Sequence, residues 1–318
     1  MNQRVLVASN RGPISYQFGA DGSLTGRRGG GGMIAGVTDG LAALGPGSSA
    51  TWICAALSDA DRVVARQRGE ELDENLRADV PVRMLDIPPG IFGRAYNNVA
   101  NSTLWFLLHQ LFDTPNQPQF GAGFRRDWES YVAYNEMFAD ALAEEAEAEE
   151  AGGDRPASRD LRILVQDYHL CLVPRLLRDR LGDAARGAGV GYFCHTPWAP
   201  PDYYRMLPAD TARALLDGIL GADRAGFHAG RWATAFMDCC AALLGADVVR
   251  ADVVRAGRER AGGPAGRVTY RGHVTEVAVH PLGVDASALR ERARAGDVQA
   301  HAGILRQAAG GRKLIVRV

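Results

Sequence analysis

Arg4-Val5-Leu6-Val7-Ala8-Ser9-Asn10-Arg11-Gly12-Pro13 is an apolar strand that ends abruptly in polar residues. A polar loop follows, with Arg27-Arg28 and four consecutive glycines, Gly29 to Gly32. It runs into Met33-Ile34-Ala35-Gly36-Val37, the first turns of a helix. Where a strand, a glycine-rich loop and a helix start meet, backbone N–H groups can approach an anion closely. Glycine leaves that approach unblocked and tolerates φ > 0. With the charge of Arg11, Arg27 and Arg28, the stretch reads as a site for a phosphate or a sugar nucleotide. A mobile surface loop is the plain alternative for the glycines. The spacing is neither G-x-G-x-x-G nor G-x-x-x-x-G-K-[ST], which excludes a dinucleotide fingerprint and a Walker A loop.

Outward from this stretch, short apolar runs alternate with longer helical patterns. Strands are expected at Val5–Ser9, Ala50–Cys54, Val82–Ile87, Arg162–Gln166, Val190–His195, Arg224–Phe227 and Val274–His280. Helices are expected over 33–44, 59–75, 97–112, 128–150, 170–181, 208–220 and 229–244. That alternation predicts an α/β fold, a Rossmann-like doubly wound parallel sheet covered on both faces. In such sheets ligands sit at the carboxyl ends of the strands.

Bulk properties remove several function classes. The chain has 318 residues, is 47% hydrophobic and 23% charged, and carries a formal net charge of −1, which fits a globular protein and not a basic nucleic-acid binder or a polybasic membrane surface. No apolar run approaches the roughly 20 residues of a membrane span. The N-terminus enters a strand directly, so no signal peptide is expected. Cys54, Cys171, Cys194, Cys239 and Cys240 are odd in number and form no C-x-x-C, as expected of reduced thiols in a cytoplasmic protein. Cys194 adjoins His195, but neighbours on a strand point to opposite faces, which argues against a thiolate–imidazole pair.

Two stretches read as surface features. The Glu-rich segment from Glu144 to Glu150, closing on Gly152-Gly153-Asp154-Arg155-Pro156, reads as a solvated helix end and loop. Ala246 to Arg255 repeats Ala-Asp-Val-Val-Arg twice; two copies make no solenoid, and the segment reads as a surface elaboration continuing into 257–266.

Three further constellations carry chemistry. Tyr96-Asn97-Asn98 through Asn101-Ser102-Thr103-Leu104-Trp105 to His109 offers hydrogen-bonding amides and flat faces suited to a sugar ring. The same Trp105 and Phe106 are also what an amphipathic helix buries in a core. In Val165-Gln166-Asp167-Tyr168-His169-Leu170 a strand delivers Asp167 to its carboxyl end, where a carboxylate can hold sugar hydroxyls or a proton, or cap the next helix. Asp167 and His169 alone are too few ligands for a metal. In Gly191 to Asp202 a strand ends in His195 before a turn stiffened by Pro197, Pro200 and Pro201. Its imidazole suits a hydroxyl or phosphate, or a purely structural bond.

Taken together, Ser9-Asn10-Arg11, Gly31-Gly32, Tyr96-Asn97 with Leu104-Trp105 and His109, Gln166-Asp167-Tyr168-His169-Leu170 and Phe193-x-His195-x-Pro197-Trp198 resemble the trehalose-6-phosphate synthases, retaining glycosyltransferases of the GT-B type, in an actinobacterial form. Leu207-Pro208, Gly226-Phe227 and His280-Pro281-Leu282-Gly283-Val284-Asp285 continue the match. The resemblance implies the N-terminal half of a GT-B fold. It implies transfer of glucose from UDP-glucose or GDP-glucose to glucose 6-phosphate with retention, giving α,α-trehalose 6-phosphate, with no cofactor and no obligatory metal. By position, Arg11 would hold the acceptor phosphate; Tyr96, Trp105 and Asp167 would line the acceptor sugar; Gly31 and Gly32 would meet the donor diphosphate; and His195 would meet the donor glucose. Asp167 and His195 are the catalytic-site residues so implied, acting as positioners in a front-face attack without an enzyme nucleophile.

The domains expected are 1–285, an acceptor domain; 286–312, a helical linker; and 313–318, the first strand of a donor domain. The family's next Arg and Lys, which neutralise the leaving diphosphate, would fall beyond Val318, so the 318 residues alone are expected to be inactive in transfer. The expected partners are small molecules, with no nucleic acid and no membrane, and self-association into a homo-oligomer is left open. Two alternatives stand. One is a related synthase with another acceptor, such as glycerol 3-phosphate, or a pseudo-glycosyltransferase coupling cyclitols. The other is a non-catalytic sugar-phosphate-binding domain.

Overall fold

The computed structural model describes residues 3–42, 44, 47–67, 80–147, 161–182, 188–251, 263–283 and 286–315. Contacts divide the chain into two units, Met1–Pro281 and Leu282–Val318.

The first unit is built on a nine-stranded sheet. Its strands are β1 (Arg4–Ser9), β4 (Ser49–Ala55), β5 (Val82–Leu85), β6 (Leu161–Gln166), β7 (Gly189–Cys194), β8 (Arg224–Phe227), β9 (Asp247–Arg250), β10 (Pro264–Tyr270) and β11 (His273–Val279). The order is β5-β4-β1-β6-β7-β8-β11-β10-β9. Every pairing from β5 to β11 is parallel, and β10 pairs antiparallel with both β11 and β9. The seven expected strands are all present. Their parallel order reverses direction between β1 and β6, the topological switch point at which doubly wound sheets place ligands.

Strand alternation explains the two-sided burial. On β1, Leu6 and Ala8 join the core that includes Val99, Leu107, Tyr134 and Phe138, from helical segments over 89–108 and Ala122–Glu147. Val5 and Val7 point the other way, onto Met33, Val37 and Leu41 of helix Gly32–Ala42. Side chains of period two serve both faces, so a strand covered on both sides must be apolar throughout.

Four strands were not expected. β2 (Ile14–Phe18) and β3 (Leu24–Arg28) form an antiparallel hairpin inside the supposed polar loop. Its exposed face is polar, which hid the period-two signal; Ile14 and Tyr16 bury themselves against Ala60 and Val64. The hairpin is pinned by Asp61, buried in helix Asp59–Arg66, which accepts the N–H of Tyr16 at 2.7 Å and those of Leu57 and Ser58 at 3.0 Å. β9 corrects the reading of 246–255 as surface elaboration: the first Asp-Val-Val-Arg copy is a sheet strand, because β10 offers it a paired edge. The second copy from Asp252 and residues 257–262 lie outside the described residues. The Glu-rich segment is more than a solvated face, since Glu144 and Glu145 pair with Arg83 of β5 at 2.5 and 3.0 Å. Glu149, Glu150 and the loop to Pro156 lie outside the described residues.

The expected helix over 97–112 is a longer rod, 89–108. It begins and ends as α-helix and is π-helical over Arg94–Leu104. Among the described residues no helix is long and apolar enough to cross a membrane.

The second unit contains helices Ala286–Arg294 and Gly296–Ala309, joined by a two-fold Arg292–Asp297 pairing at 2.7 and 2.6 Å. Of the expected strand over 313–318, Lys313–Ile315 form no strand and Ile315 is 94% exposed; 316–318 lie outside the described residues.

Candidate functional site

The carboxyl ends of β1, β6, β7, β8 and β11 deliver the functional side chains. At the end of β1, Ser9 and Asn10 are structural. The Ser9 hydroxyl donates to Arg11 O at 2.6 Å and accepts from Trp52 Nε1 at 2.7 Å. Asn10 Oδ1 accepts from the Tyr134 hydroxyl at 2.7 Å. These buried bonds fix the chain as it leaves the sheet and push Arg11 into solvent, where its Nη2 donates to the Tyr96 hydroxyl at 3.4 Å. The Tyr96 ring lies between Phe92 and His169, at centroid distances of 5.2 and 5.5 Å and 17° to each. Burial, with the Arg11 charge adding to it, pushes the His169 pKa down to about 3, so this imidazole is neutral.

Arg11 also lines a pocket of about 80 Å³ with Gly12, Ile14, Ser15, Gly29, Gly30 and Asp61 among its walls. The structure thus sorts the glycines differently from the sequence reading. Gly29 is a packing requirement and not a source of mobility: a Cβ there would lie 2.7 Å from Ile34 Cδ1 and 3.0 Å from Gly12 O. Gly31, at φ 121°, and Gly32, the first residue of its helix, are at the helix start and not among the residues that line the pocket.

At the end of β6 the backbone is strained. Asp167 has φ 72° and ψ 171°, a region otherwise reserved for glycine. Its side chain makes no helix-capping bond; it turns toward β7 and accepts the N–H of His195 at 3.1 Å. Burial pushes the Asp167 pKa up to about 6, against the opposing hydrogen bonds from the His195 and Tyr168 N–H groups. The carboxylate is ionised at neutral pH and within reach of protonation.

At the end of β7, His195 Nε2 donates to Gln166 Oε1 at 2.9 Å. Burial and then the neighbouring His228 push the His195 pKa down to about 4. Phe193 is ringed by His195, His228 and His280, at centroid distances of 4.7, 4.9 and 6.4 Å. Among the described residues no three His, Cys, Asp or Glu side chains are placed to share a metal ion. Cys194 is buried and its thiol is pushed far up by burial, so it supplies no thiolate.

On the far wall, Trp105 is 39% exposed, which overturns its reading as core. Its ring lies 3.8 Å from that of His109 and 6.0 Å from that of Tyr168, whose hydroxyl donates to Asn101 Oδ1 at 2.9 Å. The structure therefore gathers Arg11, Tyr96, Asp167, His195 and Trp105 around the β1/β6 switch. Sequence reasoning missed Gln166 and His169 as site members, and His228. Gln166 ends β6, His228 directly follows β8, and His169 lies in the turn after β6, a signal present in the sequence but weak by itself.

A cation, a carboxylate, neutral imidazoles and aromatic rings thus meet at the switch point of a doubly wound, Rossmann-like sheet. Residues 3–318 match Glycosyltransferase family 20, and the chain belongs to that family. It is similar to the alpha,alpha-trehalose-phosphate synthase [UDP-forming] 1 of Aspergillus fumigatus, 31% identical over 99% of this chain and 53% of the relative. It is also similar to the trehalose-6-phosphate synthase of Mycobacterium avium, 29% identical over 100% of this chain and 57% of the relative. Among solved structures, the N-terminal domain of Candida albicans trehalose-6-phosphate phosphatase aligns with a TM-score of 0.71 at 22% identity, covering 100% of this chain and 57% of that one. An E. coli trehalose-6-phosphate structure bound with UDP-2-fluoro glucose aligns with a TM-score of 0.64 at 20% identity, covering 96% and 54%. At these identities the structural likeness carries the fold alone, that of the N-terminal half of a GT-B protein. The chain spans about half the length of the curated relatives it matches.

Proposed function

We propose that this chain provides the acceptor side of an α,α-trehalose-phosphate synthase, which transfers glucose from UDP- or GDP-glucose to glucose 6-phosphate with retention. The observation that carries the reading is Arg11, an exposed cation between the Tyr96 hydroxyl and a pocket walled by Gly12, Gly29 and Gly30. A guanidinium beside the open backbone of Gly30 suits a phosphate monoester. The Tyr96 hydroxyl and the exposed Trp105 ring then line the acceptor sugar, and ionised Asp167 accepts from its hydroxyls. Neutral His195, with Nε2–H engaged by Gln166, offers its other nitrogen to a donor hydroxyl. In the retaining transfer, the bond from the sugar C1 to the diphosphate oxygen breaks as the bond to the acceptor oxygen forms. The acceptor proton passes to the departing phosphate oxygen. Gly31 and Gly32, at their helix start, suit that diphosphate.

Calorimetry with glucose 6-phosphate and with glucose tests the acceptor reading. Glucose 6-phosphate is expected to bind and glucose to bind far more weakly, with Arg11→Met removing about 1.5–3 kcal/mol of the difference. Absence of glucose 6-phosphate binding by the native protein would overturn the reading.

A second reading is supported by the likeness to the N-terminal domain of a protein named as a phosphatase. The same fold can hold a sugar phosphate without transferring a glycosyl group. Because these 318 residues by themselves are expected to be inactive in transfer, the test supplies them with the donor half of a family relative: nucleotide release from UDP- or GDP-glucose then favours the synthase, and glucose 6-phosphate binding without release favours the second reading.

A further inference from the structure

The π-helical stretch of the rod is held by side chains as well as by backbone. Ser102 Oγ donates to Asn97 O at 2.7 Å and Thr103 Oγ1 to Asn98 O at 3.0 Å, each five residues back. The Trp105 N–H donates to Ala100 O, also five back. In an α-helix such hydroxyls reach the carbonyl three or four residues back. Here they add a second donor to carbonyls at the i−5 spacing and so favour the wider helix.

The spacing decides which residues share a face. An α-helix turns about 100° per residue, which puts positions nine apart, such as Tyr96 and Trp105, on opposite sides. With i→i+5 bonds the turn is roughly 80° per residue, which brings such positions back to one side. Two lines of contact, the core line and the line through Tyr96, Asn101 and Trp105, follow the wider period, and a third, spaced four apart, fits either helix. Ala95, Val99, Ala100 and Leu104 are buried in the core. Arg94 Nε donates to Ser130 Oγ at 2.7 Å and Asn98 Nδ2 to Asp127 Oδ2 at 3.1 Å, both on helix Ala122–Glu147. Tyr96 meets Arg11 and His169, Asn101 meets the Tyr168 hydroxyl, and Trp105 meets the Tyr168 ring.

We propose that the π register of Arg94–Leu104 is the device that assembles Tyr96, Asn101 and Trp105 into one sugar-binding face, and that Ser102 and Thr103 are positioning residues that hold this register. The proposal deepens the acceptor reading above and rests on it. Each hydroxyl acts through the carbonyl it bonds. A rod relaxed to α-helix would keep one aromatic face at the site and rotate the other away.

The test pairs a crystal structure of the Ser102→Ala/Thr103→Val double variant with glucose 6-phosphate calorimetry. The expected result is i→i+4 bonding over 97–105, a Trp105 ring withdrawn from Tyr168, and an affinity about tenfold weaker. Ser102→Thr and Thr103→Ser keep the hydroxyls and are expected to retain native affinity. A double variant that keeps its i→i+5 bonds, or loses them with unchanged affinity, would overturn the proposal. If the native protein binds no glucose 6-phosphate, the acceptor reading fails, while the crystal structure still decides whether the hydroxyls hold the register. If the double variant does not fold, the single variants Ser102→Ala and Thr103→Val decide by the same two measurements.

Discussion

The main-chain N–H of His195 donates to the carboxylate of Asp167 at 3.1 Å, and the N–H of Asp167 donates to the carbonyl of Phe193 at 2.7 Å. Two adjacent parallel strands are thus tied together just past their carboxyl ends. The tie holds Asp167 in a backbone conformation that costs a non-glycine residue about 1–3 kcal/mol. It also fixes the positions of a carboxylate and an imidazole before any ligand arrives, which is how a site that works by positioning lowers its reorganisation cost.

The strain makes a prediction that a contact list alone would not. Asp167→Gly and Asp167→Ala both remove the carboxylate, but only glycine relaxes the backbone. Asp167→Gly should be the more stable of the two by about 1–3 kcal/mol in urea unfolding, and both should lose acceptor affinity. Equal stabilities would contradict the strain.

Acid stability follows in large part from three shifted groups of the site, and His228, His273 and His280, also lowered by burial, act in the same direction as its two imidazoles. His195 and His169 have folded pKa values of about 4 and 3 against an ordinary 6.5. As pH falls below 6.5 the unfolded chain takes up protons that the folded chain refuses, so stability drops. Asp167 acts oppositely: folded, it takes its proton near 6, while the unfolded residue waits until 3.8, which adds stability between those values. Two imidazoles outweigh one carboxyl. Urea midpoints should fall from pH 6.5 to 4, more steeply in Asp167→Asn and less steeply in His195→Gln.

Asp61 pins the hairpin that carries the chain from Arg11 to the glycines. Asp61→Ala would leave the buried N–H of Tyr16, and those of Leu57 and Ser58, without their acceptor, at about 1–3 kcal/mol for each that stays dry. Hydrogen exchange should rise selectively over 14–28 while β6 and β7 stay protected. Uniform loss of protection would show a global role instead.

Gly221 and Gly218 are predicted to be intolerant of a methyl group. A Cβ at Gly221 would lie 2.3 Å from Arg175 N, and one at Gly218 2.4 Å from Cys171 O. Backbone cannot yield as a side-chain tip can. Gly218→Ala should destabilise by about 1–3 kcal/mol, despite alanine's better helix propensity, as read from the thermal midpoint.

The five cysteines are buried and unpaired, and burial raises the pKa of every thiol. A thiol reagent should label none at neutral pH until denaturant is added. Rapid labelling of Cys194 in the folded protein would reopen the idea of a reactive thiol beside His195.

Seven parallel strands were legible in the sequence by itself, from short, mostly apolar runs alternating with helical patterns, most plainly in β1, whose Val-Leu-Val-Ala run is buried on both faces. The sequence also marked Arg11, Asp167 and His195, because a polar residue that interrupts such a run falls at the carboxyl end, where a doubly wound sheet binds ligands. Tertiary structure alone decided the rest. β2 and β3 pair only because Asp61 and helix Asp59–Arg66 offer them a surface, and β9 is a strand only because β10 lies beside it. Gly29 is needed because Ile34 and Gly12 close in on it from distant turns of the chain. Tyr96 and Trp105 share a face only in the π register, which local propensity does not prefer and which the core, helix Ala122–Glu147 and the hydroxyls of Ser102 and Thr103 together impose. Periodicity reports what a residue run favours alone; which helix it becomes is settled by how many neighbours it must satisfy at once.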